Sequence, residues 1–72
     1  MEKYANLNGD SGISGFEIGE DWIRVYFTNN STYKYTHKSA GYKNIEIMKR
    51  LATEGRGLHN YINIHTRFAY ER

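Results

Sequence analysis

The Asn29-Asn30 pair constrains this chain most, because it separates two strand-like segments and predicts a β-hairpin. Before the pair, Trp22 to Phe27 are mostly β-branched or aromatic. After it, Thr32 to His37 alternate polar and ring-bearing residues, as strands do. Asparagine tolerates positive φ better than other non-glycine residues. The chain is therefore expected to reverse direction at this pair.

The length of the turn decides which side chains share a face of the sheet, because a shift of one residue moves every side chain to the other face. A two-residue turn at Asn29-Asn30 places the tyrosines with the polar face. That face would contain Trp22, Arg24, Tyr26, Tyr33, Tyr35 and His37. A three-residue turn, with Asn30 left-handed, places Tyr33 opposite Val25 and Tyr35 opposite Ile23. Only the second arrangement gives a consistently apolar face, so we expect both tyrosines to be largely buried with Ile23, Val25 and Phe27.

Length and composition predict a single small domain without covalent cross-links. A chain of 72 residues buries about 60% of its surface on folding, so its seven Tyr, three Phe and one Trp are expected mainly in the core. The absence of cysteine excludes disulfides, thiol catalysis and Cys-based zinc sites. No signal-peptide pattern and no run of 18 apolar residues occurs. We therefore expect a cytoplasmic protein with no membrane association.

Charge is distributed unevenly along the chain. The net charge is +2, but residues 1–37 contribute −2 and residues 38–72 contribute +4. Basic residues in the second half could bind phosphate groups, although such a charge bias is also common on ordinary solvated surfaces. Net charge alone therefore does not indicate a nucleic-acid-binding protein.

The rest of the first half predicts a flexible tail and one more strand. Residues 1–11 are polar and lack a sustained period, so they are expected to form a flexible N-terminal tail before a single domain at 12–72. Ser11 to Ile18 is a plausible first strand, with Phe16 and Ile18 on one face. Gly19 to Asp21 form the turn into the hairpin, giving an antiparallel meander of about three strands.

The second half predicts one main helix and a short terminal segment. Ser39 is a suitable N-cap for a helix over Ala40 to Glu54, and Gly55 ends it. The apolar stripe of this helix contains Tyr42, Ile45, Met48, Leu51 and Ala52. Leu58 to His65 fits a short helix by one spacing and a strand by another; we favour the helix, followed by an extended Thr66 to Tyr70. The fold class is therefore α+β, a small meander packed against one helix.

Several short motifs give the chain a family resemblance. They are Phe27, the Asn29-Asn30 turn, Tyr33-x-Tyr35, the Ile45 to Ala52 helix, the Gly55/Gly57 elbow, and Asn60, Ile62, Arg67 and Tyr70 in order. With these, residues 13–71 resemble the KTSC domain family, named after a domain on some lysyl-tRNA synthetases and found also as small bacterial proteins. The resemblance implies a single α+β domain for which RNA binding has been suggested. It implies no catalytic residues. The family's Val-Pro and Pro-Tyr pairs are replaced here by Lys38-Ser39 and Ala69-Tyr70.

Two binding functions follow from rings interleaved with cations. Unpaired bases stack on aromatic rings while Lys and Arg contact phosphates. The residues expected to bind RNA or another single-stranded nucleic acid are Tyr33, Lys34, Tyr35, His37, Lys38, Arg56 and Arg67. The alternative is a protein-interaction or homodimerisation surface, since exposed Trp, Tyr and Arg are also enriched at protein interfaces. Its residues would be Trp22, Arg24 and Tyr26.

No enzyme motif or metal-binding motif is present. His37, His59 and His65 lack the i,i+4 spacing of a helical metal pair, and no HExxH sequence occurs. Glu20 and Asp21 are adjacent carboxylates that would point apart at a strand end. We therefore expect a protein that is not an enzyme, with no cofactor and no metal.

Overall fold

The hairpin has the three-residue turn in this computed structural model, which describes residues 2–7 and 12–71. The Phe27 amide donates to the Ser31 carbonyl at 2.8 Å, and the Asn30 amide donates to the Phe27 carbonyl at 3.1 Å. Asn30 adopts the left-handed conformation, with φ of 71°. Val25 consequently lies opposite Tyr33 and Ile23 opposite Tyr35. The predicted register is confirmed, with Tyr35 buried and Tyr33 half-buried.

The predicted α+β architecture is also confirmed. The strands form one antiparallel sheet in the order β1-β2-β3-β4. The elements are β1 (Glu2–Lys3), β2 (Ile13–Ile18), β3 (Trp22–Phe27), β4 (Thr32–Thr36), α1 (His37–Ala40), α2 (Tyr42–Glu54), α3 (Leu58–Tyr61) and a π-helical turn (Ile62–Thr66). The helices pack on one face of the sheet, and none of the described helices covers the other face.

The N-terminal segment is not the flexible tail that its polar composition predicted, at least over residues 2–7. Glu2 and Lys3 pair with β2 and add a fourth strand to the sheet. Tyr4 is buried, and its hydroxyl accepts a hydrogen bond from the Leu58 amide at 3.3 Å. The Leu7 amide donates to the Gly55 carbonyl. One buried ring and backbone pairing therefore hold this segment, while residues 1 and 8–11 of the predicted tail lie outside the described residues.

The main helix begins later than predicted. Thr36 and Ser39 form a reciprocal capping box, which starts the short helix α1 instead of α2. Gly41, with φ of 93°, separates the two helices. Tyr42 is consequently the first residue of α2 and is exposed, stacking on His37 instead of joining the core. The end of α2 is as predicted, because Gly55 is left-handed and its amide bonds the last helical carbonyls.

The terminal segment is helical for longer than expected. The favoured helix is present as α3, and a π-helical turn continues it through Thr66. Thr66 is buried, and its hydroxyl lies 3.6 Å from the Met48 sulfur. Arg67 also has helical dihedral angles, so the extended conformation predicted from Thr66 onwards is wrong at its start.

The core lies between the sheet and the helices. It combines side chains from β2, β3, β4, α2, α3 and the N-terminal segment, including the stripe residues Ile45, Met48 and Ala52. The buried apolar side chains are Tyr4, Ile13, Phe16, Ile23, Val25, Tyr35, Ile45, Met48, Ala52, Leu58 and Ile62. Within the described part of the chain, no helix has the length and apolar character needed to cross a membrane.

Candidate functional site

Side chains that the core does not use gather on two surfaces. The first is the outer sheet face, defined by Lys3, Glu17, Trp22, Arg24, Tyr26 and Lys34. Strand register places them together, because Arg24 lies opposite both Glu17 and Lys34, and residues directly opposite each other share a face. Lys3 and Tyr26 both lie opposite Gly15. This surface is on the side of the sheet away from the helices.

Two cations lie close to the single tryptophan on the outer sheet face. The Arg24 guanidinium carbon lies 5.2 Å from the Trp22 ring centroid, and the Lys34 ammonium lies 5.0 Å from it. The indole also lies against Gly19, where an added Cβ would fall 1.9 Å from the ring nitrogen. The ring is thereby held in place, and both cations are within the range of a cation–π interaction.

One carboxylate organises the centre of this face. Glu17 accepts a hydrogen bond from the Tyr26 hydroxyl and pairs with Arg24 at 2.8 Å. These two contacts, Tyr26 first, lower the pKa of Glu17 from its ordinary value. Because a lowered pKa keeps this group ionised in mildly acidic solution, Arg24 is partly neutralised. Among the described residues, neither Lys34 nor Lys3 forms a salt bridge with a carboxylate.

The second surface is the aromatic cleft, which lies between the hairpin and the C-terminal segment. It has a volume of about 340 Å³ and is lined by Phe27, Asn29, Tyr33, Tyr35, Ile62, Asn63, Arg67, Phe68 and Tyr70. Tyr35 and Ile62 are buried and form its floor. The Tyr33 and Tyr70 rings lie 4.6 Å apart at a tilt of 43°. Four aromatic rings and one guanidinium lie at its rim.

Tyr35 at the cleft floor is expected to make the fold sensitive to alkaline pH. Burial, followed by repulsion from Tyr33 and Tyr70, raises the pKa of Tyr35 to about 12. An unfolded tyrosine has a pKa of about 10. The resulting stabilisation is complete below pH 10 and is lost as the pH rises to 12, on the order of 2 kcal/mol. Urea unfolding followed by Trp22 fluorescence between pH 9 and 12 measures this loss.

The matched control for the alkaline effect is Tyr35→Phe, which keeps the ring and removes the titrating hydroxyl. We expect this variant to lose less stability than the parent protein between pH 10 and 12, while the other six tyrosines titrate in both. Equal losses in the two proteins would contradict the assignment of the effect to Tyr35.

The predicted site residues are divided among several places. Tyr33, Tyr35 and Arg67 meet at the aromatic cleft, and Lys34 joins Trp22, Arg24 and Tyr26 on the outer sheet face. His37 pairs with Glu46 at 3.1 Å and Lys38 is exposed on α1, whereas Arg56 is exposed beyond α2. The structure therefore does not form one platform from all of these residues.

Tyr35 was predicted to bind RNA, but the structure buries it. Its ring is 1% exposed, so it cannot stack on a base that approaches from solvent. The reason is the register, which places Tyr35 opposite Ile23 on the core face. Tyr33 is on the same face but nearer the turn of the hairpin, and it stays half-buried.

The sequence-based analysis missed part of both surfaces. Phe68, Tyr70 and Asn63 reach the cleft only because the chain continues as a π-helical turn and then bends back. Tyr70 was visible as a resemblance motif, but no local spacing connects it to Tyr33. Lys3 was assigned to the tail. Over the residues that the structure describes, no cluster of three His, Asp or Glu side chains suits a metal ion.

The chain matches no protein-family profile, no curated protein and no solved structure.

Proposed function

We propose that this protein is a small domain that binds single-stranded RNA on its outer sheet face, as the resemblance to the KTSC family suggests. The observation that carries the proposal is the Trp22 ring with the Arg24 and Lys34 cations 5.2 and 5.0 Å from its centroid, on the face of the antiparallel sheet away from the helices. Rings and cations on such a face can stack bases and attract phosphates together. A cellular RNA partner would place the protein in the cytoplasm.

The roles of the individual residues follow from their chemistry. Arg24 can stack its planar guanidinium on a base while it remains attached to Glu17. Lys34, opposite Arg24, and Lys3, level with Tyr26 at the other end of the face, supply point charges for phosphates. Tyr26 supplies a second ring, which its hydrogen bond to Glu17 fixes in orientation. No catalytic step is part of this proposal.

The proposal predicts weak binding that depends on salt. A net charge of +2 and two uncompensated lysines supply few phosphate contacts, so the dissociation constant should lie at about 10⁻⁴ to 10⁻⁶ M, as in non-specific binding. In a heteronuclear NMR titration with a short mixed-sequence RNA at low salt, we expect contiguous amide shifts over β3 and β4. Raising the salt to physiological concentration should reverse them.

Two lysine variants test the location of the binding surface. Lys34→Gln should weaken RNA binding several-fold. It should also reduce the slope of the logarithm of the binding constant against the logarithm of salt concentration by about one. Lys43→Gln is the matched control, because Lys43 is exposed on α2 on the other side of the molecule, and it should leave binding unchanged. The absence of salt-reversible shifts at millimolar RNA would refute RNA binding.

The same titration distinguishes self-association from RNA binding. Shifts at Trp22, Arg24 and Tyr26 that follow protein concentration and ignore RNA would instead favour the protein-interaction alternative. If Lys34→Gln and Lys43→Gln changed the RNA affinity equally, the outer sheet face would be ruled out as the binding site.

A further inference from the structure

We propose that the aromatic cleft is a separate binding site for a nucleoside monophosphate, with the planar base among the rings and the phosphate at Arg67. The cleft and the outer sheet face lie on opposite sides of the sheet, because Tyr33 and Lys34 are adjacent in β4 and point to opposite faces. Binding at the cleft therefore does not depend on RNA binding at the outer face.

The size and lining of the cleft suit a planar ring. Its volume of about 340 Å³ is at the lower end of small-ligand pockets. Tyr33 and Tyr70 lie against each other in its lining, and Phe68, which also lines it, is 67% exposed. An exposed phenylalanine at a cleft rim leaves apolar area in water that a flat ligand would cover. A base inserted beside Phe68 would stack on rings and bury that area.

Charge at the rim selects an anionic ligand over a cationic one. Arg67 is exposed, and its guanidinium lies 5.2 Å from the Phe68 ring centroid. None of the residues that line the cleft is a carboxylate. A ring cage without a cation could hold a quaternary ammonium group, but Arg67 would repel it. A phosphate would instead accept the charge-assisted hydrogen bonds of the guanidinium.

Two amides beside the cleft can recognise the edge of a base. Asn63 is exposed, and Asn29 uses its side-chain oxygen to accept a hydrogen bond from the Ser31 amide at 3.0 Å. This contact fixes the Asn29 side chain and leaves its NH₂ group to donate. Asparagine amides pair with the donor and acceptor groups of bases.

The backbone around Arg67 supports a binding role. Five consecutive residues, Ile62–Thr66, form a π-helical turn, and such turns are rare and frequent at functional sites. Ile62 and Thr66 are buried and anchor the turn. Asn63 and Arg67, each one residue after an anchor, are then held at the rim of the cleft. The turn thus positions two polar groups that could contact the ligand.

Adenosine monophosphate is the probe that tests this site. In a heteronuclear NMR titration of the intact chain, we expect shifts at Asn29, Tyr33, Asn63, Arg67 and Phe68. Arg67→Gln and Phe68→Ala should each weaken binding about tenfold. Both residues are exposed, so the variants should fold. Arg50→Gln, at an exposed arginine of α2, is the control and should bind as the parent does. Adenosine without phosphate should bind about as weakly as the Arg67 variant.

A free nucleotide and the end of an RNA strand offer the same base and phosphate. Displacement of the mononucleotide by 5′-phosphorylated RNA but not by unphosphorylated RNA would identify the strand end as the ligand. Displacement by neither would identify the free nucleotide. Shifts confined to Arg24 and Lys34 would overturn the cleft as a site. So would the absence of shifts at millimolar adenosine monophosphate in 10-fold excess over the protein. RNA binding at the outer sheet face would survive either of the last two results.

Discussion

Replacing Tyr35 with alanine is expected to lower the free energy of unfolding by about 3 to 5 kcal/mol, the usual cost of deleting a large buried ring. Tyr35 is 1% exposed and lies opposite Ile23 beneath the Tyr70 ring, whose centroid is 6.3 Å away. Few side chains in so small a domain could move to fill the cavity. Since small domains have about 5 to 15 kcal/mol of total stability, this change would remove much of it. Urea denaturation followed by circular dichroism measures the loss.

Tyr42→Ala is the matched control for the deleted ring. Tyr42 is the same residue type but is 67% exposed at the start of α2, so its removal should cost no more than about 0.5 kcal/mol. Similar losses in the two variants would contradict the register of the hairpin, because that register alone decides that Tyr35 faces the core. Tyr35→Phe should remain close to the parent at neutral pH, since it keeps the ring.

Replacing Gly55 with alanine is the second large effect, at about 2 to 5 kcal/mol. Gly55 has φ of 82°, which costs any other residue about 1 to 2 kcal/mol. A Cβ there would also fall 2.6 Å from the Ala5 Cβ, in the N-terminal segment that contacts this turn. Overpacking of this kind typically adds 1 to 3 kcal/mol. Thermal and urea unfolding of the variant measure the sum.

Gly57→Ala separates the two contributions. Gly57 has nearly the same backbone, with φ of 80°, but a Cβ there would meet only the Leu51 side chain, at 3.7 Å. We expect this variant to show the backbone cost alone, about 1 to 2 kcal/mol. If Gly55→Ala were no more destabilising than Gly57→Ala, residues 5–7 would not be packed against the end of α2 as described.

Local chemistry explains the parts of the fold that were predictable. The hairpin register follows from two features that agree: Asn30 accepts a left-handed conformation, and only a three-residue turn places the apolar residues of β3 and the tyrosines of β4 on one face. The end of α2 at Gly55 is equally local, because a left-handed glycine closes the last helical hydrogen bonds. Each depends on neighbouring residues, which a sequence displays directly.

Local capping decided the start of α2, whereas a tertiary contact decided the order of the N-terminal strand. Ser39 was a sound N-cap by residue type, but Thr36 was placed to complete a capping box with it, and Gly41 then interrupted the helix. The polar N-terminal segment gained its order from Tyr4, which reaches the Leu58 amide 54 positions along the chain. Contacts over such distances leave no periodic pattern in the sequence.

The sequence by itself determined which residues β3 contributes to the outer sheet face. Side chains alternate along a strand, so Trp22, Arg24 and Tyr26 are predicted to lie together. Tertiary structure decided which cation joins them, since Lys34 reaches Trp22 through the pairing of β3 with β4. It also decided the aromatic cleft, where Tyr33 meets Tyr70 and Arg67 from a segment more than thirty residues later. The physical reason is that strand alternation is a local steric property, whereas the cleft exists only after the π-helical turn is anchored in the core by Ile62 and Thr66.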